Sequence, residues 1–122
     1  MVKIDYEAFN TFCAGPPATS HVVQWGGSHV WKVGGKVFAI GGWSDNDRPA
    51  FTFKVSEIAY EALTEQEGLR PAPYFAPRGM KWFQYIGPTG LMEIELQEYL
   101  ATSHHLASAN LTKKKQKELG LI

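Results

Sequence analysis

Between His21 and Val55 the chain runs through four short β-prone stretches: "HVVQW" (21–25), "HVWKV" (29–33), "KVFAI" (36–40) and "AFTFKV" (50–55). Their separators are Gly26-Gly27, Gly34-Gly35 and "GGWSDNDRP". This is turn chemistry, so consecutive stretches are expected to pair as antiparallel hairpins. Such a sheet must bury at least one face, and the elements around it have to supply the cover. The Gly34-Gly35 pair can adopt the positive φ values of a two-residue primed turn, which predicts Val33 opposite Lys36. Unbroken alternation then sets Trp31, Val33, Phe38 and Ile40 on one face with His29 and Lys36. Val30, Lys32, Val37 and Ala39 take the other. In the fourth stretch Phe51, Phe53 and Val55 are expected inward, Thr52 and Lys54 outward.

Helical patterns flank this core. Asp5 is placed to cap a helix carrying Phe9, Phe12 and Cys13 on its inner side, with Ile4 ahead of the cap; Gly15-Pro16-Pro17 ends it. Ser56 is placed to cap a second helix reaching about Gln66, with Ile58, Ala59, Ala62 and Leu63 as its inner stripe and Gly68 beyond its end. The segment "LRPAPYFAPRG" (69–79) holds three prolines and reads as an irregular connection. "KWFQYI" (81–86) reads as a fifth strand. From Leu91 to about Leu111, Met92, Leu96, Tyr99, Leu100, Leu106, Ala107 and Leu111 recur at helical steps. The order α-β-β-β-β-α-β-α describes one α+β domain over residues 1–122. It has two layers: an antiparallel sheet of about five strands, and helices packed on one face. A basic tail follows at about 112–122.

At 122 residues, 44% of them hydrophobic, the chain suits one globular core. No apolar run approaches the ~20 residues of a membrane span. A single cysteine suits a reducing compartment, so a cytoplasmic protein is expected.

Catalytic and ligand-binding motifs find little support. "VGGKV" lacks the first glycine and the Ser or Thr of a phosphate-binding loop, since Val30 and Val37 occupy those positions. His104 and His105 diverge by about 100° on a helix. His21 and His29 have no ligand partner at metal-site spacing. Cys13 stands near a helix C-terminus, where the dipole disfavours a thiolate. The acid pairs Asp45/Asp47 and Glu93/Glu95 fall in a turn and on a solvated helix face. No enzymatic activity, cofactor or metal is expected.

Four segments in order carry a family resemblance: "KVGGKVFAIGG", "FTFKV", "RPAPYFAPRGMKWFQYI" and "YLATSHHLASANLTKK". The lead-in "CAGPPATSHVVQWG" precedes them. Together they resemble the MmcQ/YjbR family over about residues 9–115. The resemblance implies a CyaY-like α+β domain and DNA binding through a double-wing arrangement of hairpins. Lys36 and Phe38 fall on that family's Gly-Lys-x-Phe-Ala positions, Lys54 on its strand lysine, Trp82 on its tryptophan and Ser103 on its helix serine. His104 stands where tyrosine is usual. Likeness to frataxins does not extend to iron binding, because the first helix carries only Asp5 and Glu7.

Two function classes follow. In the first, the protein binds DNA without catalysis: Lys32, Gly34, Gly35 and Lys36 form one wing, and Arg78 and Lys81 a second contact. Lys54 and the tail residues Lys113, Lys114, Lys115 and Lys117 add positive charge. In the second, the exposed sheet face or the Pro-rich 69–79 segment binds a protein or small ligand, with no nucleic acid involved. Twelve basic and twelve acidic residues give zero net charge and a pI near 6.9, which suits the second class. The distribution is uneven. Residues 1–69 hold five basic and eight acidic side chains, and residues 70–122 hold seven and four, which suits the first.

Overall fold

The computed structural model describes residues 6–24, 26–42, 50–64, 68–72, 81–86 and 93–122. Ile4, Asp5, Asp45, Asp47, Arg78 and Met92 lie outside them. In chain order the elements are α1 (Tyr6–Ala14), β1 (Thr19–Gln24), β2 (Ser28–Val33), β3 (Lys36–Gly41), β4 (Phe51–Lys54), α2 (Glu57–Leu63), β5 (Leu69–Pro71), β6 (Trp82–Tyr85), α3 (Glu93–Ala109) and α4 (Lys113–Glu118). One antiparallel sheet has the order β1-β2-β3-β4-β6-β5. The α+β architecture agrees with the sequence expectation. The sheet has six strands rather than about five, because Leu69–Pro71 pairs with β6 at the sheet edge. A proline is tolerated there, where its missing N–H costs no ladder bond.

The helices α1, α2 and α3 contact one sheet face through aromatic rings. Phe9 lies 5.1 Å from Phe51, Tyr99 stacks on Phe53 at 5.5 Å, and Tyr60 meets Phe83 edge-on at 4.9 Å. At Gly41 a Cβ would come within 2.8 Å of the Phe9 ring, so the glycine lets α1 settle against β3. In α2 the inner stripe differs from expectation. Leu63 is buried and Ala59 and Tyr60 pack on the core, while Ile58 is 84% exposed and Ala62 is also exposed. The Tyr60 ring offers more contact area than Ile58, and the helix is turned to bury it.

The largest departure lies in β3. Val33 faces Lys36 and Lys32 faces Val37 as expected, but Trp31 then faces Ala39 and Val30 faces Ile40. Phe38 is the extra residue of a β-bulge. The bulge keeps Phe38 in the core, brings Ala39 in beside it and turns Ile40 to the opposite face. That face therefore carries a row of Val30, Ile40, Thr52 and Gln84, all 0% exposed. Thr52 is thus buried, against the expectation that it points to solvent, and Lys54 is half-buried.

The bulge is held by α3. Ser103 donates its hydroxyl hydrogen to the Phe38 carbonyl at 2.5 Å and accepts from the Lys54 N–H at 2.7 Å. The paired register of β3 and β4 ends at Ala39 and Phe53. One hydroxyl thus bridges the two strands where their ladder stops. Beside it, His104 donates from Nε2 to the Pro17 carbonyl at 2.9 Å and sits edge-on to Phe38. A carbonyl only accepts, which sets the imidazole tautomer.

Candidate nucleic-acid interface

The expected long helix from Leu91 to about Leu111 is present as α3, which ends at Ala109. The basic tail after it forms a separate helix, which Thr112 caps by accepting from the Lys115 N–H at 3.1 Å. At the far end Gly120, with φ of 73°, donates to the Lys117 carbonyl and Leu121 donates to that of Gln116. This is a Schellman motif, and it turns the last residues back toward the domain. Lys113 and Lys114 therefore begin a helix, where the dipole opposes their charge, instead of extending one.

The position of α4 is set at Gly34. With φ of 56°, this residue takes the first place in the β2–β3 turn, and a Cβ on it would meet Leu111 Cδ1 at 2.7 Å and Leu119 Cδ1 at 2.8 Å. Both leucines thus sit on the turn, and Leu121 packs against the core. Gly35, with φ of 87°, has open space where its Cβ would be. Gly34→Ala is accordingly expected to cost more than Gly35→Ala, since both pay for positive φ but only the first pushes α4 away. Differences of about 1–2 kcal/mol in urea melts would register this; equal costs would mean that α4 does not rest on the turn.

This docking joins two basic groups that are 77 to 81 positions apart in sequence. Lys36 is exposed at the turn, and Lys113, Lys114, Lys115 and Lys117 are all exposed on α4. Register places the other candidates at the same end of the sheet. β4 runs antiparallel to β3 and ends with Lys54, one step past the Phe53–Ala39 pair and opposite Trp82, so Lys54 and Lys81 lie toward the turn end of the sheet. From β3 to β6 is two strand spacings, about 10 Å. Lys32 lies further in, half-buried on the face away from the helices. Lys81 is partly committed, with Nζ 4.5 Å above the Tyr60 ring. Glu57, in the first turn of α2, brings a carboxylate to the same end.

Other chemistry is sparse among the described residues. Cys13 is fully buried, and burial pushes its thiol pKa far up, as expected of an unreactive core cysteine. No group of three or more His, Cys, Asp or Glu converges on a point. His21 and His29 do meet across β1 and β2, with Nε2 and Nδ1 3.1 Å apart, a contact that their separation in sequence conceals. Between α1 and α3 lies a shallow, open depression lined by Glu7, Phe12 and Gln97, with no cation among its lining residues. The sheet face proposed for ligand binding is closed along its middle by the buried Val30–Gln84 row.

The sequence model of the YjbR family matches residues 14–106. The fold resembles a crystal structure of Deinococcus radiodurans protein DR2400, described as a DUF419 domain, with a TM-score of 0.83 at 20% identity over 94% of this chain and 87% of that one. No curated protein matches. The matched family region stops before α4, so four of the five lysines around the turn fall outside it.

Proposed function

Starting from the chain's membership of the YjbR family, we propose that it is a non-enzymatic DNA-binding protein that contacts phosphates through the basic end of its sheet. The observation that carries this reading is the seating of α4 on the β2–β3 turn. It gathers Lys36, Lys113, Lys114, Lys115 and Lys117 around one hairpin tip. The tip is a wing whose Gly34 is committed to packing and whose Gly35 is open to a ligand. Exposed lysines without a surrounding pocket favour backbone contact over base reading, so binding is indifferent to sequence.

If these five lysines each neutralise one phosphate, the log–log salt slope is about −4.5 on duplex DNA. With zero net charge on the whole chain, affinity belongs in the non-specific range of ~10⁻⁴–10⁻⁶ M at physiological salt. Lys114→Glu/Lys115→Glu is the cleanest variant, since both residues are exposed. Deleting the tail would also strip Leu119 from Gly34 and Leu121 from the core. In anisotropy titrations the double variant should shed about 1.8 from the slope and bind at least about tenfold more weakly. A slope near zero for the parent would remove DNA from the account and return the protein- or ligand-binding reading.

A further inference from the structure

The strand β1 closes one edge of the sheet, and among the described residues no strand pairs with its outer side. Ser20, His21, Val22 and Val23 are all exposed, the two valines by 37% and 54%. Edge strands are ordinarily protected by charge, proline, a bulge or brevity. The other edge, β5, has three residues and ends in Pro71. "TSHVVQ" has six residues, no Lys, Arg, Asp, Glu or Pro, and unbroken register with β2. Such an edge is fitted to receive an extended strand.

Which backbone groups are free follows from the ladder. The Gly34 N–H reaches the Ala18 carbonyl at 3.4 Å, so Ala18 faces β2. Alternation then directs Ser20, Val22 and Gln24 toward β2, and the N–H and C=O groups of Thr19, His21 and Val23 outward. These three are evenly spaced about His21. We propose that β1 pairs with β1 of a second copy of this chain, antiparallel across a two-fold axis at His21. Thr19 then faces the partner's Val23, Ser20 faces the partner's Val22, and each His21 faces the other. The arrangement makes six backbone hydrogen bonds and continues the sheet through both copies.

A second copy is the occupant because the outward set is its own complement, as a two-fold interface requires. Neither strand brings a charge, and zero net charge leaves the two copies without mutual repulsion. Pairing also has a natural limit. The strand begins at Thr19, since Ala18 with φ of 62° leaves the extended conformation, and Pro17 before it has no N–H to offer. The inference does not rest on DNA binding.

Sedimentation of the full chain over a concentration series, with amide exchange followed by NMR, tests it. A reversible monomer–dimer equilibrium is expected, with protection of the Thr19, His21 and Val23 amides rising with concentration. His21→Pro removes an outward N–H without costing a bond to β2, and should weaken the dimer at least about tenfold. Val23→Lys should do the same by placing a charge on the edge, and serves if the proline variant does not fold. A chain that stays monomeric at millimolar concentration, with these amides exchanging freely, overturns the proposal. So does a dimer indifferent to both variants. Protection that appears only on adding an unrelated strand-forming peptide overturns the second-copy assignment.

Discussion

Phe53→Ala is expected to cost about 3–5 kcal/mol. For a domain of this size that lowers the melting temperature by roughly 10–20 °C. Phe53 is wholly buried, stacks on Tyr99 and lies between Ala39 and Phe83 in neighbouring strands. Removing the ring opens a cavity walled by both layers, and neither layer can close it without moving α3. Ile58→Ala is the matched control. Ile58 is 84% exposed despite its sequence position in an apparent inner stripe, so its loss should fall within about ±0.5 kcal/mol. Thermal melts of the two variants check the orientation of β4 and α2 together. Comparable shifts would mean that one of them is turned the other way.

Ser103→Ala should destabilise by about 2–4 kcal/mol, a large effect for the loss of one oxygen. The serine is fully buried, and its hydroxyl accepts from the Lys54 N–H and donates to the Phe38 carbonyl. Each buried group left unpaired costs about 1–3 kcal/mol. Ser103→Thr keeps the hydroxyl and should recover most of the loss. If Ser103→Ala melts like the parent, water or a shifted β3 must satisfy the two groups, and Ser103 does not hold the bulge. Its position on the family's helix serine thus has a structural explanation that needs no ligand. His104, standing where tyrosine is usual, has one as well, since it ties α3 to Pro17.

Much of the fold could be read from local chemistry. The Gly34-Gly35 turn, the Val33–Lys36 pairing, the inward Phe51 and Phe53 and the Ser56 cap each depend on residues within a few positions of one another. The helix between Thr112 and Gly120 did not stand out, because the lysine run between them reads as a featureless tail. The basic residues could be named from sequence, but not gathered. Lys36 and the α4 lysines come together only because Leu111 and Leu119 find a glycine on the hairpin turn.

The same limit applies to the bulge. Nothing in "KVFAI" announces it, because alternation fits that stretch equally well without an extra residue. Phe38 and Ala39 both face inward because a serine 65 positions away from Phe38 satisfies the carbonyl that the bulge leaves over. That exchange reverses the outlook of Ile40 and makes a buried row of a face that alternation assigned to solvent. Local sequence determined which segments form strands, turns and helices, since those choices rest on backbone conformation and neighbouring side chains. Tertiary structure decided which face each segment shows and which charges share a surface. Those outcomes depend on hydrogen-bond partners and packing volumes supplied by distant parts of the chain.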